Sequence, residues 1–318
     1  MTDGDNRSGY DIIGDVHGHA DALVDLLTTM GYRKHKGAWR HRSRQAIFVG
    51  DLIDRGPKQI ESVAIARAMV ESGSAQMVLG NHEFNAIAYA TPDGQDDYLR
   101  PHTDKNTGQH ATFIEAVGFD STLHREMIDW FKTIPLWLDL GGIRVVHACW
   151  SNHHIGHLRP LVGDGDTLTE ELVRAASTKG HLSYDAIETI LKGPETSLGE
   201  LHYVDKDDNS RHHARLAWWD ESATSLPAAV LIPDGTTIFD ADGVPTSLPD
   251  EPVAEADRLT YVSDVPVVFG HYWWTADRGI TSDRALCVDF SIAKHGDLVA
   301  YQWDGEATLS ESKIVRAT

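Results

Sequence analysis

Short apolar runs alternate along this chain with longer segments in which apolar residues recur every three to four positions. The recurring pattern predicts helices over 20–30 and 60–70, and the start of another helix over 83–89. The apolar runs predict strands, at 10–13, 45–49, 76–79, 143–146, 265–269, 285–290 and 298–303. Strands that alternate with helices at this spacing indicate an α/β fold built on a central sheet.

The segment from about 150 to 261 has a different pattern. Helical spacing extends over 167–192, and a charged, loop-rich stretch with an excess of acidic residues follows. No strand followed by a polar turn is recognisable there, so we predict a cap inserted into one domain that spans 10–318. The polar residues 1–9 are expected to form a flexible tail.

Composition and charge exclude some classes of function. The chain has 318 residues, 41% of them hydrophobic, and a formal net charge of −20. This charge argues against binding to nucleic-acid polymers, which need a basic surface. No apolar run approaches the roughly 18 residues that span a bilayer, and the N-terminus is polar, so we expect a cytoplasmic protein without a membrane partner. Cys149 and Cys287 lie in or beside apolar runs, which favours buried free thiols over a disulfide.

Polar residues follow five of the predicted strands, and at four of these positions a glycine stands directly before the polar residue. The five positions carry Asp15 with His17, Asp51, Asn81, His147 and His271. One such position alone is explained as well by a polar turn, and one histidine alone by a hydrogen-bonded core residue. Because loops at the carboxyl ends of strands form the ligand crevice of α/β sheets, five positions together favour a shared binding site.

The motifs GDVHG, GDLIDRG and GNHE, followed by two separate histidines, resemble the calcineurin-like metallophosphoesterases. The similarity is greatest to the phosphoprotein phosphatase branch, which includes Ser/Thr protein phosphatases and bacterial diadenosine tetraphosphatases. It covers about 10–90, 143–150 and 265–303. The resemblance implies a four-layered α-β-β-α sandwich with an inserted cap region.

The resemblance also implies two metal sites that share one carboxylate. It assigns Asp15, His17 and Asp51 to the first ion, and Asp51, Asn81, His147 and His271 to the second. Mixed carboxylate, imidazole and amide ligands suit divalent ions, with manganese preferred and iron or zinc as alternatives. Two such ions lower the pKa of a water molecule, so the resulting hydroxide attacks phosphorus without a protein nucleophile.

Further residues receive roles by the same resemblance. His82 is expected to be the general acid, oriented by Asp54, and Arg55 is expected to bind phosphate oxygens. The family has a second phosphate-binding arginine before the last histidine; the candidates are Arg211, Arg215 and, more weakly, Arg278. The chain departs from the protein phosphatases after His147, where Ala-Cys-Trp replaces the usual glycines.

Two other groups of residues admit a functional interpretation. A further metal site could be built from His19, His153, His154, His157, His212 and His213, although solvated loop histidines are the simpler interpretation. The pairs Trp218-Trp219 and Trp273-Trp274 could stack on a nucleobase, although packing is the simpler role.

Three functions follow from these residues. The first hypothesis is a phosphatase that hydrolyses a phosphomonoester of a protein or small molecule. The alternative is a hydrolase of dinucleoside polyphosphates such as diadenosine tetraphosphate. A non-catalytic metal-binding scaffold is the third, but it predicts loss of a ligand, of His82 or of Arg55, and all are present.

Overall fold

A computed structural model describes residues 9–204, 209–233, 235–274 and 281–317. Two sheets form the centre of the fold. The first sheet contains, in spatial order, β18 (Ile314–Arg316), β17 (Val299–Trp303), β1 (Gly9–Ile13), β4 (Arg44–Phe48) and β5 (Ala75–Met77). Strands β1, β4 and β5 run parallel, whereas β17 is antiparallel to both β1 and β18.

The second sheet repeats this arrangement with fewer strands. It contains, in spatial order, β16 (Ala285–Cys287), β15 (Val267–Phe269), β7 (Arg144–Val146) and β6 (Trp137–Asp139). The first three strands are parallel and β6 is antiparallel to β7. In each sheet the carboxyl ends of the parallel strands therefore meet at one edge.

The helices of the first half of the chain are α1 (Ala20–Thr29), α2 (Gln59–Glu71), α3 (Asn81–Ala90), α4 (Asp104–Val117) and α5 (Thr122–Phe131). A small hairpin joins β2 (Arg33–His35) to β3 (Ala38–Arg40). Two short 3-10 helices, Ile292–Lys294 and Glu311–Lys313, flank β17.

The chain between β7 and β15 forms further helices and two small sheets. Its helices are α6 (Asn152–Leu158), α7 (Glu170–Ala176), α8 (Leu182–Lys192) and α9 (Leu226–Ala229). One sheet has the order β12 (Val230–Leu231), β11 (His213–Leu216), β8 (Glu195–Ser197). The other has the order β10 (Ser210–Arg211), β9 (His202–Val204), β13 (Ile238–Phe239), β14 (Pro245–Thr246).

Alternation along the strands divides the apolar side chains between two clusters. Ile12 and Val268, from different sheets, belong to one cluster between the sheets. Their neighbours Ile13 and Phe269 belong to a larger cluster that includes Leu23 and other helix residues. Because successive strand residues point to opposite faces, each sheet is covered by the other sheet on one face and by helices on the other. The predicted α-β-β-α sandwich is confirmed.

The predicted strands and helices of the core are present, with ends shifted by one to three residues. Outside the core, the observed helices and strands differ more from the predicted ones. The helical pattern over 167–192 is two helices, α7 and α8, separated at Gly180, whose φ is +83°. The segment between β7 and β15 also contains short strands that no pattern indicated, and α4 and α5 were not predicted.

The inserted segment packs on the sandwich. The indole N–H of Trp218 donates to the carbonyl of Ala148, and the backbone N–H of Ala148 donates to Ile190. Gly9 belongs to β1, and residues 1–8 lie outside the described part, so the flexible tail predicted over 1–9 stays a prediction. The single domain over 10–318 with a cap over about 150–261 stays a prediction.

Candidate metal centre and active site

The predicted ligand residues all lie just beyond the carboxyl ends of parallel strands. Asp15 and His17 follow β1, and Asp51 follows β4. His147 follows β7 and His271 follows β15 in the second sheet. Since the two sheets pack face to face, their carboxyl edges bring side chains that are distant in sequence to one place.

Asp51 is the centre of this group. Its Oδ2 lies 3.7 Å from Nε2 of His17 and 3.4 Å from Nε2 of His147. Asn81 Oδ1 lies 3.0 Å from Nε2 of His147. Two groups of three potential ligand atoms, each within 4.8 Å, share Asp51: one with His17 and His82, the other with His147 and His271. A carboxylate shared by two groups is the arrangement that a bridging ligand requires.

Hydrogen bonds at the far side of the rings orient two of the histidines. His17 Nδ1 is 2.9 Å from the carbonyl of Ile53, and His147 Nδ1 is 2.7 Å from the carbonyl of Val49. A carbonyl can only accept, so each Nδ1 carries a proton, and the lowered pKa of His17 leaves a lone pair on its Nε2. Metal-binding histidines show this pattern of hydrogen bonding.

Buried polar atoms without partners indicate that a cation belongs here. Asp15 Oδ1 and His271 Nε2 are buried and have no hydrogen-bond partner among the residues that the structure describes. Burial, together with the carboxylates of Asp289 and Asp51, raises the pKa of Asp15. Burial lowers the pKa of His17 to about 4, and burial with the charge of Arg215 lowers that of His271. Neutral imidazoles beside crowded carboxylates fit divalent metal ions.

The backbone at this site adopts conformations that are rare for residues with a side chain. Five site residues have φ in the left-handed region: His17 (+45°), Asp51 (+52°), Asp54 (+67°), Arg55 (+77°) and His271 (+71°). Each such residue costs of the order of 1–3 kcal/mol and persists only where its surroundings fix it. The strain is therefore concentrated in the loops that present the candidate ligands.

Two of the glycines are required by close approach. A Cβ on Gly80 would collide with Oδ1 of Asp51, and a Cβ on Gly270 would collide with Oδ1 of Asp15. Neither position tolerates a larger residue without displacing a candidate ligand.

His82 is held by Asp54, as the sequence analysis predicted for a general acid. His82 Nδ1 lies 2.5 Å from Asp54 Oδ2, and its Nε2 lies 3.9 Å from Asp51 Oδ2. Although burial lowers the pKa of His82, the carboxylates of Asp51 and Asp54 raise it above its ordinary value. The other oxygen of Asp54 contacts His110 Nδ1 at 3.0 Å. Burial opposes ionisation of Asp54, but these two histidines hold its pKa far below the ordinary value.

The candidate phosphate-binding arginines differ in position. Arg55 is exposed beside the site, where its charge is one of the causes that lower the pKa of His17. Arg215 lies on β11, and its guanidinium carbon is 5.7 Å from the ring centre of Tyr272. Tyr272 is the residue that follows His271 in the sequence. Arg211 is exposed on β10, in a different sheet. Arg278 lies outside the described residues.

Three buried residues at the site were missed or given no role. Glu83 accepts backbone hydrogen bonds from Asp51 (2.8 Å), Leu52 (2.7 Å) and Gly80 (3.1 Å). Burial and the charge of Asp51 raise the pKa of Glu83 to about 7. Asp289, which follows β16, accepts the backbone N–H groups of residues 273 and 291 at 2.9 Å. The third, His110, contacts Asp54. In the sequence, Glu83 stands out only as an acid within the motif GNHE, and Asp289 only as an acid within an apolar run.

The other residues singled out in the sequence lie outside the candidate metal centre. Trp218 and Trp219 are buried and pack against Phe269, as the packing interpretation predicted. The six additional histidines form no potential metal group with other described residues, and three of them lie on α6 rather than in loops. Both cysteines are free and buried. Among the described helices, none is long and apolar enough to cross a membrane.

Comparison with known proteins identifies the family of this chain. The sequence pattern of calcineurin-like phosphoesterases matches residues 10–272. The symmetrical bis(5′-nucleosyl)-tetraphosphatase of Psychromonas ingrahamii is 30% identical over 303 residues, which cover 94% of this chain and 95% of that protein. The asymmetrical bis(5′-nucleosyl)-tetraphosphatase PrpE of Oceanobacillus iheyensis is 30% identical over 164 residues, 51% of this chain. That match covers 62% of the relative, less than two thirds of its length.

A solved structure shares the fold. A protein serine/threonine phosphatase from Saccharomyces cerevisiae superimposes with a TM-score of 0.51 at 12% identity. The superposition covers 99% of this chain and 80% of that chain. At this identity the similarity concerns the fold alone.

Proposed function

Because this chain belongs to the calcineurin-like phosphoesterase family, we propose that it is a metal-dependent hydrolase that cleaves the phosphoanhydride of a dinucleoside polyphosphate. The observation that carries the hydrolase assignment is the convergence of His17, His82 and His147 within 3.9 Å of one oxygen of Asp51. The substrate class is supported by a relative named as a bis(5′-nucleosyl)-tetraphosphatase that matches almost the whole chain.

Six residues would hold two divalent cations, with manganese proposed and iron or zinc as alternatives. They are Asp15, His17, Asp51, Asn81, His147 and His271, with Asp51 shared. When bound, the ions supply positive charge that activates water and stabilises charge on the phosphate oxygens. The unpartnered Asp15 Oδ1 and His271 Nε2 support this assignment.

Proton transfer to the leaving group is proposed for His82. Hydrolysis forms a P–O bond to a water oxygen, and this water releases one proton to solvent. The P–O bond to the leaving phosphate breaks, and the leaving oxygen accepts a proton from His82 Nε2. Asp54 fixes the ring through its contact with Nδ1 and favours the protonated imidazole. His110 donates to the other oxygen of Asp54, so it keeps this carboxylate aligned.

Phosphate oxygens are proposed to bind Arg55 and Arg215. A planar guanidinium donates two parallel hydrogen bonds to a phosphate group. Arg55 is exposed beside His17 and His82, and Arg215 approaches the site from β11 near Tyr272. The position of Arg211, on the edge strand of another sheet, supports Arg215 as the second arginine.

Phosphomonoester hydrolysis, the first hypothesis from sequence, remains the second candidate, because it uses the same residues. The net charge of −20 favours a substrate with few phosphates, since Coulomb repulsion disfavours polyanions. A relative matched over 95% of its length favours the dinucleotide. We propose that the segment between β7 and β15 selects between these substrates.

The test is a comparison of kcat/KM with added Mn²⁺. The substrates are diadenosine tetraphosphate, p-nitrophenyl phosphate, a phosphoserine peptide and a phosphotyrosine peptide. We expect a preference for the dinucleotide of about 100-fold, equivalent to about 2.7 kcal/mol in transition-state binding. A preference for either peptide would replace this proposal with the phosphomonoesterase. Arg215→Ala is expected to lower kcat/KM more than the matched variant Arg211→Ala.

A further inference from the structure

Arg100 is a partly buried cation that forms no direct ion pair with the carboxylates of the described residues. It lies in the loop between α3 and α4, where its backbone N–H donates to the carbonyl of Ala88. Its guanidinium donates to two neutral acceptors, Asn85 Oδ1 at 3.2 Å and Gln109 Oε1 at 2.8 Å. No carboxylate of the described residues lies within 4.0 Å of it. Burial lowers the pKa of Arg100, and the nearby charges of Glu188 and Asp54 oppose this effect.

The two amides place this guanidinium next to the proposed general acid. Asn85 follows His82 by three residues on α3, so the two side chains lie on one helix face, about one turn apart. Gln109 directly precedes His110, which contacts Asp54. The guanidinium therefore lies beside the His82–Asp54 pair, on the side of the site formed by α3 and α4.

A guanidinium has five N–H donors in a rigid plane, and Arg100 makes two side-chain hydrogen bonds to the described residues. The two amides fix the plane without neutralising the charge. A partly desolvated cation of this kind gains most from an anion that accepts paired hydrogen bonds, as a phosphate does. Arg55 and Arg215 are assigned to the phosphate that is attacked. Arg100 instead donates to Asn85, which lies one turn after His82 on α3, and His82 is the residue proposed to protonate the leaving oxygen.

We propose that Arg100 binds the phosphate adjacent to the one that is attacked, on the leaving-group side of the scissile bond. This inference rests on the proposed function, because a phosphomonoester of an alcohol has no phosphate there. It adds a subsite that distinguishes a phosphate chain from a single phosphate. The ligand class is a nucleoside diphosphate or a longer polyphosphate.

The test compares inhibitors that have one or two phosphates. Hydrolysis of p-nitrophenyl phosphate is measured at fixed free Mn²⁺ with AMP or ADP as the inhibitor. The readout is the ratio of the inhibition constant of AMP to that of ADP. We expect Arg100→Gln to lower this ratio at least tenfold, which corresponds to about 1.4 kcal/mol. Arg125→Gln removes an equal charge from an exposed ion pair with Asp120 and is expected to leave the ratio unchanged.

Arg100→Lys keeps the charge but not the planar fork, so we expect it to lower the ratio less than Arg100→Gln. This variant keeps the proposal testable if the glutamine variant does not fold. A ratio that changes by less than tenfold in folded Arg100→Gln, that is unchanged in Arg100→Lys if only that variant folds, or that equals one in the unmodified protein, would overturn the proposal. Because the assay does not use diadenosine tetraphosphate, failure of the protein to cleave that compound would count against the proposed function alone.

Discussion

Removing the contact between His110 and Asp54 tests the arrangement around the general acid. Asp54 is buried, and His110 donates to its Oδ1 at 3.0 Å while His82 contacts its Oδ2. A hydrogen bond to a charged acceptor contributes about 1.5–3 kcal/mol. If the whole contribution is expressed in the transition state, His110→Leu lowers kcat by about 10- to 100-fold, since about 1.4 kcal/mol corresponds to a factor of ten.

The assay measures kcat at saturating Mn²⁺ for two substrates that differ in their leaving groups. Phenyl phosphate needs protonation of its leaving oxygen, whereas p-nitrophenyl phosphate needs little, so the loss should be larger for phenyl phosphate. His110→Asn can place an amide N–H near the same oxygen and should recover part of the loss. Equal losses for both substrates, with no recovery in the asparagine variant, would show that His110 has only a packing role.

Two further substitutions test neighbouring residues. His82→Asn should retain bound metal but lower kcat by about 10²- to 10⁴-fold, with a smaller loss for p-nitrophenyl phosphate; equal losses for good and poor leaving groups exclude the acid role. Glu83→Gln replaces an acceptor of three backbone N–H groups with a side chain that carries its own donors. Leaving buried N–H groups unpaired costs about 1–3 kcal/mol, so we expect the free energy of unfolding to fall by about this amount at pH 5 in urea titrations. Because the pKa of about 7 means that ionised Glu83 is disfavoured in the folded protein, the loss should be smaller at pH 8, and an equal or larger loss at pH 8 contradicts this.

The residues assigned as ligands were recognisable because each follows an apolar run that ends at the crevice. Asp51 and His271 are examples: their strands are buried, their glycines precede them, and the parallel order of the strands brings them together. At these positions the local sequence pattern and the sheet topology both place the polar residue at the crevice. The core sandwich was predictable for the same reason.

His110 and Arg100 were not predictable in this way. Neither follows a strand, and each reaches the site through tertiary packing: His110 is 56 residues from the carboxylate it contacts. Arg211 and Arg215 could not be separated by sequence, because they lie close together in two short strands and only the strand pairing shows that these strands belong to different sheets. Gly180 lies in the turn between α7 and α8, where the apolar spacing alone would have continued one helix.

Asp51 is proposed to join two metal ions in one hydrolytic centre. The most direct measurement is the number of Mn²⁺ ions bound per chain, determined by elemental analysis of the reconstituted protein and of the reconstituted variant Asp51→Asn. The rate of diadenosine tetraphosphate hydrolysis is measured for the same two samples. We expect two ions and turnover in the unmodified protein, and at most one ion with no turnover in the variant. A stoichiometry that never exceeds one, or full turnover in Asp51→Asn, would contradict the claim.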